Sequence, residues 1–240
     1  MTPCQSAQPA RDSLLSDIIS RYACPLERGE IHVWFKAEES MPRGVRQPSA
    51  AAVAANRASQ NVLLRLLANY SGVPAPSLKL RRAPFGKPYL EGGPHFNLSH
   101  SAGATAVAIS HDEVGIDIEH PERRTSALEL AKKYFTPSEN AFLSKLPDSQ
   151  MSRAFLRHWV SKEAITKLVG VGIYRGLRHA ETGHGVTPSV ASYLGRRVCL
   201  AECGVEVGML GALATWQPAK VKVFVIGENS AMICGCHFKT

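Results

Sequence analysis

Alternating apolar and polar residues predict a series of short strands along this chain of 240 residues. Successive side chains of a strand point to opposite faces, so a half-buried strand is apolar at every second position. A segment rich in Pro and Arg at 41–48 is predicted to be a loop, and 174–195 shows no clear pattern. The predicted strands are 31–35, 78–82, 95–99, 104–110, 114–119, 197–201, 208–215 and 221–226.

Capping residues mark the predicted helices. Ser49 precedes a helix over 50–70 that ends before Gly72. Thr136 and Glu139 have capping-box spacing, so a short helix should follow and run to about residue 145. A longer helix begins after Asp148 and ends at the glycines of 170–172.

The order of these elements predicts an α+β fold with antiparallel sheets. A turn at 111–113 is expected to join 104–110 and 114–119 as a hairpin. The chain divides into an N-terminal half, 1–111, and a C-terminal half, 112–240. Each half has one long helix and about three strands, although no sequence repeat is detectable.

Acidic residues in two distant segments indicate a divalent-metal site. Asp117 and Glu119 alternate with Ile116 and Ile118 in a strand, so the two carboxylates share one face. On the long helix, Glu163 and Lys167 are four residues apart and also share a face. Three carboxylates and an ammonium suit Mg²⁺ bound together with a phosphate ester.

Each segment also has an ordinary structural explanation. The strand can present a solvated acidic face, and Glu and Lys four residues apart commonly stabilise a helix. However, Glu163 and Lys167 continue the apolar stripe of Phe155 and Trp159. Charges at the edge of a core seldom lack partners, and this favours the metal site.

Composition narrows the class of protein. Apolar residues make up 45% and charged residues 20%, as in ordinary globular domains. The net charge of +8 favours an acidic partner, which by charge alone can be nucleic acid, an anionic membrane, a phosphorylated small molecule or an acidic protein. No membrane span or export signal is recognisable, so we expect a cytoplasmic protein with reduced cysteines and no membrane partner. Cys234 to His237 fits a terminal strand better than a metal knuckle, because one residue between cysteines is not a usual zinc spacing.

Four motifs, in order and spacing, resemble the signature blocks of Sfp-type 4′-phosphopantetheinyl transferases. They cover roughly residues 85–170. The motifs are GKP at 86–88, FNLSHS at 96–101, VGIDIE at 114–119 and WVSKEAITK at 159–167.

This resemblance implies two similar α+β halves related by a pseudo-twofold axis, each a small antiparallel sheet packed on a long helix. Coenzyme A and Mg²⁺ would lie between the halves. The reaction implied is transfer of 4′-phosphopantetheine from coenzyme A to a serine of a carrier protein, with release of adenosine 3′,5′-bisphosphate.

The resemblance also implies roles for individual residues. Glu163 is the candidate base and Lys167 stabilises the leaving phosphate. Which of its two roles, metal ligand or base, dominates for Glu163 is left open. The implied metal ligands are Asp117, Glu119 and Glu163, and the implied coenzyme A contacts are Arg46, Arg57, Lys87, Ser99 and His100. Lys162, next to the candidate base, is a further candidate phosphate contact, with a solvated lysine as the alternative.

The implied partner is an acidic acyl, peptidyl or aryl carrier protein, and the length of the chain favours a monomer. Two other functions remain in competition at this stage. One is a different Mg²⁺-dependent phosphate-ester enzyme, although no P-loop pattern occurs. The other is a basic nucleic-acid-binding module, but aromatic content is only 7% and the arginines are not interleaved with aromatics, so no nucleic-acid partner is expected.

Overall fold

The computed structural model describes residues 7–37, 49–101, 104–123, 125–188, 190–227 and 231–237. Within these residues, the three predicted helices are present, together with three helices that were not predicted. The predicted capping box is confirmed, because the Thr136 backbone N–H donates to Glu139 and the Glu139 N–H donates to the Thr136 hydroxyl. The helices are α1 (Ala7–Tyr22), α2 (Ser49–Ser71), α3 (Ala127–Tyr134), α4 (Pro137–Leu143), α5 (Asp148–Val169) and α6 (Ile173–Gly176).

The predicted strands are also present, with small shifts at their ends. The segment 85–90, which is not among the predicted strands, contains one side of a short hairpin. The strands are β1 (Glu30–Ala37), β2 (Leu80–Arg82), β3 (Pro88–Leu90), β4 (His95–Ser101), β5 (Ala104–Ser110), β6 (Val114–Glu119), β7 (Ala180–Glu181), β8 (Ala191–Tyr193), β9 (Arg196–Cys203), β10 (Leu210–Thr215), β11 (Lys220–Ile226) and β12 (Ala231–His237).

Two five-stranded sheets form the centre of the fold. The first has the order β12-β11-β1-β5-β4 and the second the order β6-β10-β9-β8-β7. The predicted hairpin of β5 and β6 is wrong, because β5 pairs with β1 and β4 whereas β6 pairs with β10. The turn at 111–113 therefore carries the chain from one sheet to the other.

The two sheets and the long helices form four layers. One core lies between the sheets and contains Val33, Ile116, Ile118 and Leu213. The outer face of the first sheet is covered by α1 and α2, which bury Leu63, among others. The helix α5 covers the outer face of the second sheet. None of the described helices is long and apolar enough to cross a membrane.

This architecture is α+β, as predicted. The pairing is antiparallel except for β1 and β11, which run parallel. Because β11 and β12 return to the sheet that contains β1, the sheets do not follow a boundary at residue 111 strictly. The division into 1–111 and 112–240, and the pseudo-twofold axis, stay predictions.

Candidate active site

The site lies where the edges of the two sheets meet. Polar side chains of β4 satisfy the backbone of β6 along its unpaired edge: the Ile116 N–H donates to Asn97 Oδ1 at 2.9 Å, and the Ile118 N–H donates to Ser99 Oγ at 3.2 Å. An edge strand buried without such partners would leave its N–H groups unsatisfied. These bonds fix the register between β4 and β6, and hence the positions of the acidic residues of β6.

A glycine sets the distance between β6 and α5. A Cβ atom at Gly115 would lie 2.1 Å from the Ala164 carbonyl oxygen and 2.4 Å from the Leu168 nitrogen. The absence of a side chain therefore allows β6 to pack directly on α5. Since Asp117 is two residues further along the same face, this contact places its carboxylate beside the polar residues of α5.

The acidic residues and their neighbours line a cavity of about 260 Å³. It opens between α2, β4, β6 and α5. All three predicted metal ligands, both predicted catalytic residues and two predicted coenzyme A contacts lie in its wall. The lining residues are Asn56, Gln60, Leu98, Ser99, His100, Asp117, Ile118, Glu119, Arg123, Trp159, Glu163 and Lys167.

Asp117 is buried and held by two partners. The Lys167 ammonium lies 2.6 Å from Asp117 Oδ1, and the Ser99 hydroxyl donates to the same oxygen at 2.7 Å. Lys167 also donates to Ser99 at 3.1 Å, so the three side chains form a closed triangle. The aspartate is therefore neutralised by a protein cation.

Glu119 has its own basic partner. Arg123 lies 3.0 Å from one of its oxygens, and the Ser101 hydroxyl donates to the carboxylate at 3.1 Å. Burial raises the pKa of Glu119, and Arg123 opposes that rise. Like Asp117, this carboxylate faces the cavity with a cation beside it.

Glu163 is the least compensated of the three acids. Burial raises the pKa of Glu163 to about 8, and the neighbouring Asp117 carboxylate adds to the rise while Lys167 opposes it. A carboxyl group with such a pKa exchanges a proton near neutral pH. A positive charge bound in the cavity would favour its ionised form.

The donor set fits Mg²⁺ in chemistry, because all three candidate ligands are carboxylates. In the described part of the chain, however, no three His, Cys, Asp or Glu side chains are gathered closely enough to form a ready-made metal site. Asp117 is instead paired with Lys167, and Glu119 with Arg123. A cation that enters the cavity would have to compete with these basic groups.

Comparison with known proteins identifies the family. Residues 113–203 match the family model described as the 4′-phosphopantetheinyl transferase superfamily. The 4′-phosphopantetheinyl transferase HetI of Nostoc sp. is 34% identical over 177 residues, which are 69% of this chain and 74% of that protein. This chain belongs to the 4′-phosphopantetheinyl transferase superfamily.

Further relatives match shorter stretches of the transferase. The 4′-phosphopantetheinyl transferase Sfp of Bacillus subtilis is 33% identical over 91 residues, which are 37% of this chain and 40% of that protein. The L-aminoadipate-semialdehyde dehydrogenase-phosphopantetheinyl transferase of Xenopus laevis is 30% identical over 138 residues, covering 52% and 46% of the two chains. The family resemblance predicted from the four motifs is confirmed, and the chain is an enzyme of the transferase class.

One predicted coenzyme A contact of the transferase, Lys162, lies outside the cavity wall. Lys162 has no exposed surface and forms an ion pair of 2.8 Å with the buried Glu139 of α4. Its ammonium also donates to the carbonyl oxygens of Leu177 and Ala180. Lys162 therefore lies on the side of α5 that faces α4, and it is saturated with protein partners.

The other predicted contacts are placed differently. Ser99 and His100 line the cavity, although Ser99 is engaged with Asp117 and only His100 is exposed. Arg57 is exposed on α2, near the cavity-lining Asn56, but is not part of the wall. Arg46 lies outside the described residues. Lys87 is not in the wall and binds two backbone carbonyls elsewhere, as described below.

Sequence reasoning missed two kinds of site residue. The role of Arg123 as the partner of Glu119 follows from their spacing of four residues, but such pairs are common and give a weak signal. Asn56 and Gln60 reach the cavity from α2, and their contribution depends on how α2 packs. No local pattern marks them.

Proposed function

We propose that this transferase moves 4′-phosphopantetheine from coenzyme A to a serine hydroxyl of an acyl, peptidyl or aryl carrier protein, in a Mg²⁺-dependent reaction that releases adenosine 3′,5′-bisphosphate. One observation carries the proposal: the carboxylates of Asp117, Glu119 and Glu163 and the ammonium of Lys167 line one cavity. Such a site pairs oxygen ligands for a hard cation with a positive charge for a phosphate.

The three acids are the residues that would hold the metal. When bound, Mg²⁺ would neutralise the pyrophosphate of coenzyme A and polarise the phosphorus under attack. The protein contributes the positions of the carboxylates, which follow from the β4–β6 register and from the contact of Gly115 with α5.

The transfer exchanges one phosphorus–oxygen bond for another. The serine oxygen bonds to the phosphorus of the pantetheine phosphate, and the bond from that phosphorus to the bridging pyrophosphate oxygen breaks. That oxygen leaves with the electron pair on adenosine 3′,5′-bisphosphate. Lys167 would stabilise the charge that builds on it.

Glu163 is the proposed acceptor of the serine proton, directly or through a water molecule. Burial raises its pKa to about 8, so its ionised form is a stronger base than an ordinary carboxylate. The same side chain is proposed as a metal ligand. Cation binding would lower the basicity of Glu163, so the two proposed roles oppose each other.

Ser99 and His100 are proposed to lie beside the coenzyme A phosphates, since both line the cavity next to the acidic residues. Arg57, exposed on α2, and Arg46 are proposed as further contacts with the nucleotide. In this arrangement the N-terminal half supplies most contacts with coenzyme A, and the C-terminal half supplies the metal ligands and the catalytic helix.

The carrier protein is proposed to be acidic, because the enzyme has a net charge of +8 and would attract an acidic partner. Added salt should then raise the KM for the carrier protein. An unchanged KM between low and moderate ionic strength would remove this part of the proposal. We further propose that the enzyme acts as a cytoplasmic monomer.

Mass spectrometry of an apo carrier protein tests the reaction. Incubation with the enzyme, coenzyme A and Mg²⁺ should add the mass of phosphopantetheine, and chelation of the metal should prevent the gain. Glu163→Gln and Asp117→Ala should abolish the gain while circular dichroism remains unchanged. Glu129→Gln, on the exposed face of α3, is the matched control. Modification with a nucleoside triphosphate in place of coenzyme A would contradict the proposal.

A further inference from the structure

Lys87 connects three segments that are distant in sequence. It lies in the short connection between β2 and β3, and its ammonium donates to the Leu168 carbonyl oxygen at 2.9 Å and to the Val114 carbonyl oxygen at 3.2 Å. Leu168 belongs to the last turn of α5, whereas Val114 is the first residue of β6. One side chain therefore binds the end of the catalytic helix and the start of the strand that carries Asp117.

The end of α5 is suited to receive this cation. The last carbonyl groups of a helix lack intrahelical partners and carry partial negative charge, so an ammonium group stabilises them. α5 ends at Gly170, whose backbone is left-handed with φ of 78°. A Cβ atom at Gly170 would lie 3.1 Å from Lys87 Cδ, so the glycine also makes room for the lysine stem.

The Lys87 ammonium is partly desolvated, and it donates to these two carbonyl oxygens in place of water. The side chain is half-buried, and burial lowers the pKa of Lys87 to about 8 although Glu113 opposes the change. A charge that is partly desolvated is retained when its partners are well placed. Both partners here are backbone atoms, so their positions are set by α5 and β6.

The contact made by Lys87 continues the contact that sets the geometry of the active site. β6 packs on α5 at Gly115, next to Val114, and Leu168 follows Lys167 directly. Any separation of β6 from the end of α5 would change the distance between Asp117 and Lys167, which is 2.6 Å. Lys87 lies outside the cavity wall, so it acts on the reacting groups through these two elements.

We infer that Lys87 is a positioning residue, which holds the C-terminal turn of α5 against β6 and so fixes Lys167 and Glu163 relative to Asp117. This role differs from the coenzyme A contact that the family resemblance implies. The catalytic part of the inference rests on the proposed function, whereas the structural part does not.

The two roles predict opposite kinetic changes. If Lys87 positions the helix, Lys87→Met should lower kcat by about tenfold or more, because small displacements of catalytic groups are costly. The KM for coenzyme A should then stay within about twofold, since the lysine makes no contact with the nucleotide. Lys87→Arg, which keeps donors for the two carbonyls, should recover part of kcat. Lys79→Met, at an exposed lysine before β2, is the matched control and should leave both parameters unchanged.

Amide hydrogen exchange gives a second readout that needs no substrate. In Lys87→Met, peptides that cover 163–172 and 114–119 should exchange faster than in the wild type, while peptides of α2 should be unchanged. Lys87→Arg should exchange at an intermediate rate, and it replaces Lys87→Met in the kinetic test if the latter fails to fold.

Two results would overturn the inference. One is a severalfold rise in the KM for coenzyme A with kcat unchanged, which would make Lys87 a nucleotide contact. The other is wild-type exchange at 163–172 in Lys87→Met. If wild-type enzyme fails to modify any carrier protein while the exchange result holds, the proposed function fails and the positioning role stands.

Discussion

Lys167 Nζ lies 2.6 Å from Asp117 Oδ1, so a protein cation contacts a carboxylate that is proposed to bind a metal cation. The two residues are 50 positions apart and come from α5 and β6. Ser99 bonds to both of them. Lys167 therefore balances the charge of Asp117, and metal binding would require this ammonium to give up or share its partner.

Replacement of Lys167 by Met should have opposite effects on metal binding and on catalysis. Mg²⁺ should bind more tightly in the absence of coenzyme A, because Asp117 loses a competing cation at 2.6 Å. The rate of transfer should fall by about 100-fold, since a donor to the leaving phosphate is lost. Isothermal titration calorimetry and quenched-flow mass spectrometry measure the two effects. Lys145→Met, at an exposed lysine, is the control, and weaker Mg²⁺ binding in Lys167→Met would contradict the competition.

Gly115→Ala should destabilise the fold at the centre of the site. The added Cβ would lie 2.1 Å from the Ala164 carbonyl oxygen, and a backbone atom cannot yield as a flexible side chain would. We expect a loss of about 1–3 kcal/mol or more in the free energy of unfolding, together with lower transfer activity. Urea unfolding provides the measurement. Gly172→Ala has no atom within 4 Å of the added Cβ and should change the free energy by less than about 1 kcal/mol.

The outcome at α5 shows what periodicity can and cannot predict. The stripe of Phe155, Trp159, Glu163 and Lys167 was correctly predicted to pass from the core to a polar site. Lys162 is not part of that site, because α5 is also buried on the side facing α4, where the lysine pairs with Glu139, 23 positions earlier in the sequence. A pattern of apolar residues does not indicate a buried charge whose partner is distant.

Strand pairing was the other point that the sequence left undetermined. The alternation in 104–110 and 114–119 correctly predicted two strands, and the polar turn between them is compatible with a hairpin. Yet strand pairing depends on tertiary contacts with distant segments, and β6 pairs with β10, almost 100 positions later. Because β6 pairs with β10 and not with β5, its other edge is free to bond to Asn97 and Ser99, and these bonds shape the site.

The buried pair of Lys162 and Glu139 should contribute to stability rather than to coenzyme A binding. Burial alone would raise the pKa of Glu139, but Lys162 and the backbone N–H groups of Thr136 and Thr182 hold it below its ordinary value. Lys162→Met would leave this carboxylate uncompensated, so we expect a loss of about 3–5 kcal/mol in the free energy of unfolding.

A double variant separates the charge effect from the loss of packing. Lys162→Met with Glu139→Gln should recover part of the stability, because the buried charge is removed although one acceptor for the threonines is lost. Denaturant titration of the single and double variants gives the coupling energy. A raised KM for coenzyme A in fully folded Lys162→Met would contradict the structural role and restore the phosphate contact.

The stability of the first sheet should depend on pH through Glu30. Its side chain is 3% exposed and lies 2.9 Å from Lys222 and 3.1 Å from Lys220. Although burial raises the pKa of Glu30, its contacts with Lys222, Lys220 and His32 together lower it from its ordinary 4.5 to about 2. Because the folded pKa is below the unfolded one, the folded state favours the ionised form of Glu30.

This contribution should be fully present above about pH 4.5 and lost as the pH falls towards 2. Urea unfolding of the wild type between pH 6 and pH 3 should therefore show a steeper loss of stability than that of Glu30→Gln, which lacks the titrating group. Glu91→Gln, whose carboxylate is 66% exposed and paired with Arg81, is the matched control and should follow the wild-type curve. Parallel curves for the wild type and Glu30→Gln over this range would show that the pairs with Lys220 and Lys222 do not stabilise the ionised glutamate.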